Sequence, residues 1–184
     1  MALNLDEIRK KIDSLDDQIH DLLMERAELI VDVSAAKKKE GTHIVQPARE
    51  AKMIRRLLAR HKGPLPDAAI VHIWRELVGA VSLLQTGLKV AVSTGEGHAW
   101  CWDMARNYFG SVLPMTRASA PITAISAVRE DEAYFAVAPW PQEGETNPWW
   151  VHLMNQEKDK MRIVCAMPYG VTKDQSANPK DRAL

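Results

Sequence analysis

The feature that most constrains the fold is a segment from about Leu5 to Lys39 that contains neither proline nor glycine. Its apolar residues recur at alternating intervals of four and three, as on one face of an α-helix. We call this face the apolar seam, and it comprises Ile8, Ile12, Leu15, Ile19, Leu22, Leu29, Val33 and Ala36. Asn4 is suited to cap a helix of roughly 50 Å. Such a helix must bury its seam against something equally long, and a second copy of the chain is the simplest partner.

The rest of the first 88 residues predicts two further helices. The second starts near Pro47, a good first-turn residue, and ends at Gly63-Pro64. The third starts near Pro66-Asp67 and ends at Gly87. Residues 1–88 are therefore predicted to form an all-α domain.

After Gly87 the pattern changes to short alternating strands and helices. Strands are predicted at 89–93, 134–138 and 161–166, and helices at about 99–109 and 121–129. This alternation predicts a small α/β domain over residues 89–170. Residues 171–184 are polar and are expected to form a mobile tail.

The composition excludes several function classes. Lys plus Arg and Asp plus Glu both number 24, so no net charge attracts the chain to nucleic acid or an anionic membrane. Neither a signal peptide nor a membrane span is expected, because no apolar run is long enough. The two cysteines, Cys101 and Cys165, are far apart, which favours a reducing cytoplasm over a disulfide framework.

Position 26 interrupts the apolar seam with an arginine. A buried ion without a partner costs several kcal/mol, so Arg26 needs an anion. Lys37 lies 11 residues later, about three turns and ~16 Å along the same side of the helix. The two cations could bind one small anion between them. The alternatives are a structural ion pair at Arg26, and a Lys37 that only complements the helix C-terminus.

The other two helices offer further polar residues on predicted inward faces. Arg49 and Glu50 come four residues before Met53 and Ile54 and so extend the apolar stripe of the second helix by one turn. Gln85 lies four residues after Val81 on the third. The alternative for Glu50 is a favourable acid in the first turn of a helix, with Arg49 as its neighbour. The alternative for Gln85 is an exposed amide at a frayed helix end.

Arg9 cannot share a site with Arg26 of its own chain. The two are 17 residues apart, roughly 25 Å along the axis and about 100° around it. In an antiparallel pair of long helices, Arg9 of one copy could approach Arg26 of the other. Together these residues would bind a small dianion, since arginines fit carboxylates bidentately. No nucleophile, general base or metal-spaced cluster accompanies them, so only positioning and electrostatics remain to accelerate a reaction.

Residues 5–88 resemble the all-helical chorismate mutases. The resemblance rests on LDEIRKKIDSLDDQIHDLLMERAELIVDVSAAK, on PARE, and on a third helix ending ELVGAVSLLQ. It implies an intertwined homodimer of three-helix chains and the pericyclic rearrangement of chorismate to prephenate, in phenylalanine and tyrosine biosynthesis. It implies neither a cofactor nor a metal.

The resemblance also implies roles for individual residues. Arg26 would bind one substrate carboxylate, and Arg9 of the other subunit the second. Lys37 and Gln85 would hydrogen-bond the ether oxygen, and Glu50 would hold the ring hydroxyl with Arg49 nearby. The apolar walls would be Val33, Val78 and Val81.

Two positions depart from some relatives. Gln46 stands where some have Asp, and Val81 stands where some have Ser, although Ser82 is adjacent. Both are peripheral contacts, so altered affinity is expected rather than lost activity. The same fold also supports isochorismate-pyruvate lyase activity. A non-catalytic helical dimer with a ligand-binding regulatory domain is the other alternative.

The second half more distantly resembles the start of a prephenate dehydratase domain. The similar segments are KVAVSTGEGHAWCWDMARNYFG and ITAISAVREDEAYFAVAPWPQEG. PWPQEG replaces the expected PIENSxxG loop, and no Thr-Arg-Phe motif is present. Dehydratase activity is therefore not expected. Support of the dimer or a regulatory role is the expected function of residues 89–170.

Overall fold

The computed structural model describes residues 4–40, 45–145, 148–154, 161–168 and 183–184. Its contacts divide the chain into two compact units, Met1–Ile44 and Val45–Leu184. Among the described residues, no helix is long and apolar enough to cross a membrane.

The described residues of the first unit, 4–40, form one helix, α1, over Leu5–Glu40. Asn4 caps it as predicted, because the backbone N–H of Glu7 donates to Asn4 Oδ1 at 2.9 Å. Glu7 in turn accepts from the backbone N–H of Asn4 at 3.0 Å, which completes a capping box. The side chains of the apolar seam from Ile8 to Leu29 are 41–64% exposed.

The second unit begins with two helices, α2 over Pro47–Arg60 and α3 over Asp67–Thr86. Ala51 and Ile54 are the buried residues of α2, and they lie on its predicted apolar side. α3 ends at Gly87, whose left-handed backbone (φ 62°) forms the cap and returns its N–H to the carbonyl of Leu83. Both helices therefore lie where the sequence predicts them.

A three-stranded parallel sheet follows, with strand order β2-β1-β3. The strands are β1 over Val90–Ser93, β2 over Met115–Ala118 and β3 over Phe135–Val137. Helix α4, Trp100–Phe109, connects β1 to β2, and α5, Pro121–Arg129, connects β2 to β3. A single turn, α6, covers Val151–Met154.

The two connecting helices pack on opposite faces of the sheet. Val90 and Val92 of β1 share a buried cluster with Cys101 and Ala105 of α4. Ala91, which points the other way, packs against Ala124 of α5. Alternation along one central strand thus buries both faces, as a parallel sheet requires.

Three sequence-based expectations were wrong in this region. The predicted strand at 161–166 does not form: Ile163 and Val164 are 56% and 52% exposed, and the segment is not part of the sheet. Strand β2 was not predicted, because Thr116 and Arg117 are exposed on an edge strand and leave no apolar alternation.

The third wrong expectation concerns the end of the predicted tail. Ala183 is fully buried, and its backbone exchanges hydrogen bonds with that of Met167. Leu184 does the same with Ala138, at 2.8 Å in both directions. Both residues pack on the α/β core: Ala183 joins the buried cluster that contains Val90 and Val92, and Leu184 packs against the cluster that contains Ile125. Residues 169–182 lie outside the described residues.

Candidate functional site

A small recess lies where α2, α3 and α4 meet. Three of the predicted site residues line it: Glu50 from α2, and Val78 and Ser82 from α3. The remaining walls come from three parts of the chain: Val45 before α2, Gly79 and Leu88 in and after α3, and Tyr108, Phe109 and Leu113 of the α/β region. The recess is therefore a joint product of the predicted all-α domain and the residues after 88.

Glu50 forms a buried ion pair in this recess. Arg75 Nη1 donates to Glu50 Oε2 at 2.9 Å, and the side chains of Arg75 and Glu50 are 2% and 12% exposed. Removing two charges from water is costly unless each has a partner. The pair thus fixes which way the Glu50 carboxylate points.

Tyr108 of α4 also contacts the Arg75 guanidinium. The Arg75 Cζ atom is 4.3 Å from the centre of the Tyr108 ring, in cation–π geometry. Burial raises the pKa of Tyr108, and the nearby Glu50 charge adds to the effect. Burial also raises the pKa of Cys165, whereas its hydrogen bond with Tyr108 lowers it. Tyr108 is therefore a neutral phenol at any ordinary pH.

Two glycines allow α3 and α4 to approach this closely. A Cβ atom on Gly79 would lie 1.9 Å from the backbone oxygen of Phe109. Gly110 ends α4 with φ 84°, and a Cβ there would lie 2.9 Å from Glu76 Oε2. The carboxylate of Glu76 also accepts from Ser111, from its backbone N–H at 2.8 Å and its hydroxyl at 3.0 Å. The end of α4 is thus held tightly against α3.

The other predicted site residues of the second unit are less enclosed. Arg49 is exposed, so it does not point into the recess with Glu50. It was expected to share the inward face, but the next residue along a helix is rotated by about 100°. Gln46 is partly buried and stands at the N-cap of α2 without a side-chain capping bond. Val81 is partly buried but does not line the recess.

The remaining predicted residues belong to α1 or to the end of α3. Arg9 is exposed and 3.8 Å from Asp6. Arg26 is partly buried, and that burial lowers its pKa. Because α1 is one uninterrupted helix, Arg9 and Arg26 are separated by roughly 25 Å, as predicted. Lys37, Val33 and Gln85 are helical, but their side chains lie outside the described part of the structure.

Arg75 and Tyr108 were not predicted, although the sequence contains a signal for Arg75. Arg75, Val78, Gly79 and Ser82 recur at i, i+3, i+4 and i+7. These four residues therefore lie on one face of α3. Its small residues, Gly79 and Ser82, indicate close packing rather than exposure. Tyr108 has no comparable signal, because its role depends on how α4 packs on α3.

Comparison with known proteins identifies the family of the helical segment that contains Glu50, Val78 and Ser82. Residues 8–86, from the start of α1 to the end of α3, match the sequence profile described as chorismate mutase type II. This segment belongs to the chorismate mutase type II family. The resemblance to chorismate mutases that was predicted from the sequence motifs is thereby confirmed.

Among the described residues, no group of three or more His, Cys, Asp or Glu side chains is placed to hold a metal ion.

The chorismate mutase segment is also found in longer relatives. A bifunctional chorismate mutase/prephenate dehydratase from Aquifex aeolicus is 32% identical over 139 residues, 73% of this chain and 38% of the relative. The protein of the same name from Pseudomonas aeruginosa is 29% identical over 168 residues, 88% of this chain and 45% of the relative. A T-protein from Enterobacter agglomerans is 41% identical over 69 residues, 36% of this chain and 18% of the relative.

These alignments set the extent of the similarity. The 168 residues aligned with the Pseudomonas protein exceed the chorismate mutase segment, so the similarity continues into the α/β region. The chain spans less than half the length of these curated relatives.

Proposed function

We propose that the chain is a chorismate mutase, which rearranges chorismate to prephenate by binding the dicarboxylate electrostatically, with no covalent intermediate and no cofactor. The observation that carries the proposal is the recess that brings Glu50, Val78 and Ser82 together inside the chorismate mutase type II segment. A pericyclic rearrangement needs no general base, so oriented charges and apolar walls are sufficient catalysts.

The proposed roles follow the sequence motifs. Arg26 and Arg9 of the second subunit bind the two carboxylates. Lys37 and Gln85 donate to the ether oxygen, where negative charge develops as the C–O bond breaks. Glu50 accepts from the ring hydroxyl. The residues assigned to walls and peripheral contacts are Val33, Gln46, Arg49, Val78, Val81 and Ser82.

A homodimer is part of this proposal. From Ile8 to Leu29, the apolar seam is 41–64% exposed, which is an unusual amount of apolar surface for an isolated chain. A second copy of α1 matches this seam in length and spacing. An antiparallel pair of α1 helices would also bring Arg9 of one copy towards Arg26 of the other, which Arg9 of the same chain cannot reach. The proposed site therefore requires two chains in an intertwined three-helix arrangement.

The proposal does not extend to prephenate dehydration, which is named for the relatives. The chain covers less than half of those proteins, and PWPQEG stands where the dehydratase loop is expected. We assign the α/β region a supporting role at the mutase site. The predicted cytoplasmic location is retained, and both cysteines are free thiols.

A direct assay on the purified chain tests the proposed function. We expect chorismate to disappear and prephenate to form in equal amounts, without pyruvate. Pyruvate formed from isochorismate, with chorismate unchanged, would favour the lyase alternative. A stable dimer that consumes neither compound would favour the non-catalytic alternative.

A further inference from the structure

The contacts around Arg75 connect the α/β region to the proposed mutase site. Arg75 lies on α3, its ion-pair partner Glu50 on α2, and the ring stacked on its guanidinium belongs to Tyr108 of α4. Arg75 is 2% exposed and Tyr108 is 7% exposed. Tyr108 lies outside the segment that matches the chorismate mutase family, residues 8–86.

From these contacts, we propose that Arg75 and Tyr108 are positioning residues that orient the Glu50 carboxylate for the substrate hydroxyl, so that α4 of the α/β region helps to set the geometry of the mutase site. This inference rests on the proposed function, because it takes Glu50 to be the residue that binds that hydroxyl. Neither Arg75 nor Tyr108 is assigned a contact with the substrate.

The charge and shape of the side chains explain why two positioning residues are used. The ion pair engages Glu50 Oε2, and we assign Oε1 to the substrate hydroxyl. A guanidinium is planar, so a ring stacked on its face restricts its rotation while its edge remains available to a carboxylate. Tyr108 therefore acts on Arg75, and Arg75 acts on Glu50.

The position of Tyr108 is itself fixed by α3. The Gly79–Phe109 contact and the Glu76–Ser111 hydrogen bonds hold the last turn of α4 beside the ion pair. A shift of α4 would move the Tyr108 ring away from the guanidinium. The α/β region can thus influence the site without contributing a catalytic residue.

The test measures kcat and KM for chorismate in a set of variants of the full chain. In Arg75→Met we expect kcat to fall about 10- to 100-fold, because Glu50 loses the cation that orients it. Arg75→Lys restores part of that loss, since it keeps the charge but not the planar fork. Tyr108→Leu lowers kcat about 3- to 10-fold, and Tyr108→Phe, which keeps the ring, stays within about twofold of the wild type.

Trp102→Leu is the matched control on the same helix. It removes a different cation–π contact of α4, in which Arg117 Cζ lies 4.0 Å from the centre of the Trp102 ring. Because Trp102 lies about 9 Å before Tyr108 along α4 and on a different side of that helix, we expect kcat and KM to be unchanged. A loss equal to that of Tyr108→Leu would overturn the proposal, since it would indicate a general effect of loosening α4.

A double-mutant cycle with Glu50→Gln separates positioning from folding. If Arg75 acts through Glu50, adding Arg75→Met to Glu50→Gln lowers kcat by less than about twofold further. An undiminished effect in that background would overturn the proposal and leave Arg75 a structural residue. Should Arg75→Met fail to fold, as judged by tryptophan fluorescence, the same cycle with Tyr108→Leu decides.

The two proposals fail in different ways. A wild-type chain without chorismate turnover would contradict the proposed function. Normal turnover in Glu50→Gln would contradict the role of Glu50, and the positioning role with it. Wild-type kcat in folded Arg75→Met, alongside an impaired Glu50→Gln, would contradict only the positioning role.

Discussion

Helices α1 and α3 each carry an arginine among apolar residues, but the surroundings of the two arginines differ. Arg75 on α3 is almost fully buried, with the Glu50 carboxylate at 2.9 Å and the Tyr108 ring against its face. Arg26 on α1 is partly buried, and its pKa is lowered by that burial. Among the side chains described on α1, residues 4–30, none forms an ion pair with Arg26.

The same contrast holds for the apolar residues around the two arginines. One face of α3 is closed by α4, through Gly79 and the end of that helix, whereas the apolar seam of α1 is about half exposed from Ile8 to Leu29. An arginine whose anion belongs to its own chain, as in the Arg75–Glu50 pair, can orient that anion but is not free to bind a carboxylate of the substrate. An arginine without such an anion is available to bind one from elsewhere, and this difference separates the proposed substrate ligand from the positioning residue.

Replacing Arg26 should have the largest effect. In Arg26→Ala we expect kcat/KM for chorismate to fall by at least about a hundredfold, because a preorganised cation for the substrate carboxylate is lost. Arg55→Ala is the control, as Arg55 is an exposed arginine on α2. Steady-state kinetics and sedimentation would check both variants. Near-normal turnover of a folded Arg26→Ala dimer would contradict the assignment of Arg26.

Placing a charge on the apolar seam should have the next largest effect. Ile19→Glu is expected to dissociate the dimer at micromolar concentration, because each copy would bury an unpaired carboxylate at a cost of several kcal/mol. Met24→Glu is a matched control, since Met24 is 49% exposed and Ile19 is 54% exposed, but only Ile19 belongs to the seam. Sedimentation velocity would distinguish them.

In the same variant, the rate of chorismate turnover should depend on the fraction of the chain that is dimeric. Since Arg9 and Arg26 of one chain are too far apart to share a substrate, Ile19→Glu should lose activity as it dissociates and regain it at high protein concentration. A fully active monomer would show that the site needs only one chain.

A change at the closed face of α3 should have a smaller effect. In a free helix, Gly→Ala stabilises by about 1 kcal/mol. In Gly79→Ala we expect a loss of about 3 kcal/mol instead, because the new Cβ would meet the Phe109 oxygen at 1.9 Å. Urea unfolding followed by tryptophan fluorescence would measure it. A stabilised variant would mean that α4 does not pack there.

Alkaline pH should have the smallest effect and should act on the second unit, which contains both cysteines and all six tryptophans. Burial raises the pKa of Cys101 from 9.0 to about 12, so the folded thiol stays protonated at a pH where the unfolded one ionises. Between pH 8 and pH 10, this contributes a loss of about 1.4 kcal/mol in unfolding free energy.

Cys101→Ala isolates that contribution. Its unfolding free energy should fall less steeply over the same pH interval than that of the wild type, by about the same 1.4 kcal/mol. Tryptophan fluorescence in urea at the two pH values would measure both slopes. Equal slopes would show that the Cys101 thiol does not titrate differently in the folded and unfolded states.

The sequence predicted the helices well because their signals are local. The capping residue Asn4, the first-turn Pro47 and the terminal Gly87 act through their own backbone neighbours. In the structure, Asn4 and Pro47 lie where a helix begins and Gly87 lies where one ends. The strand predicted at 161–166 failed for the opposite reason. Whether an apolar run becomes a strand depends on an available sheet edge, which no local pattern reveals.

In the proposed site, too, residues with a local signal in the sequence were predicted and a residue placed by packing was not. Glu50, Val78 and Ser82 were predicted from helical spacing and motif, and the structure brings them together. Tyr108 was not predicted because it enters the recess from α4, after a turn of chain that includes β1. Contacts between distant segments depend on how the elements pack. No spacing of residues in the sequence indicates that Tyr108 contacts Arg75.

The tight contact between α3 and α4 has a consequence for how the protein unfolds. Helices α2 and α3 contribute their buried residues to the same compact unit as the sheet, and Leu88, at the predicted domain boundary, is 2% exposed. Separating the regions on either side of it would uncover Leu88 and break the Glu76–Ser111 and Arg75–Tyr108 contacts at once. Residues 45–184 should therefore melt in a single cooperative transition, with Glu50 losing its orientation at the temperature where the parallel sheet is lost.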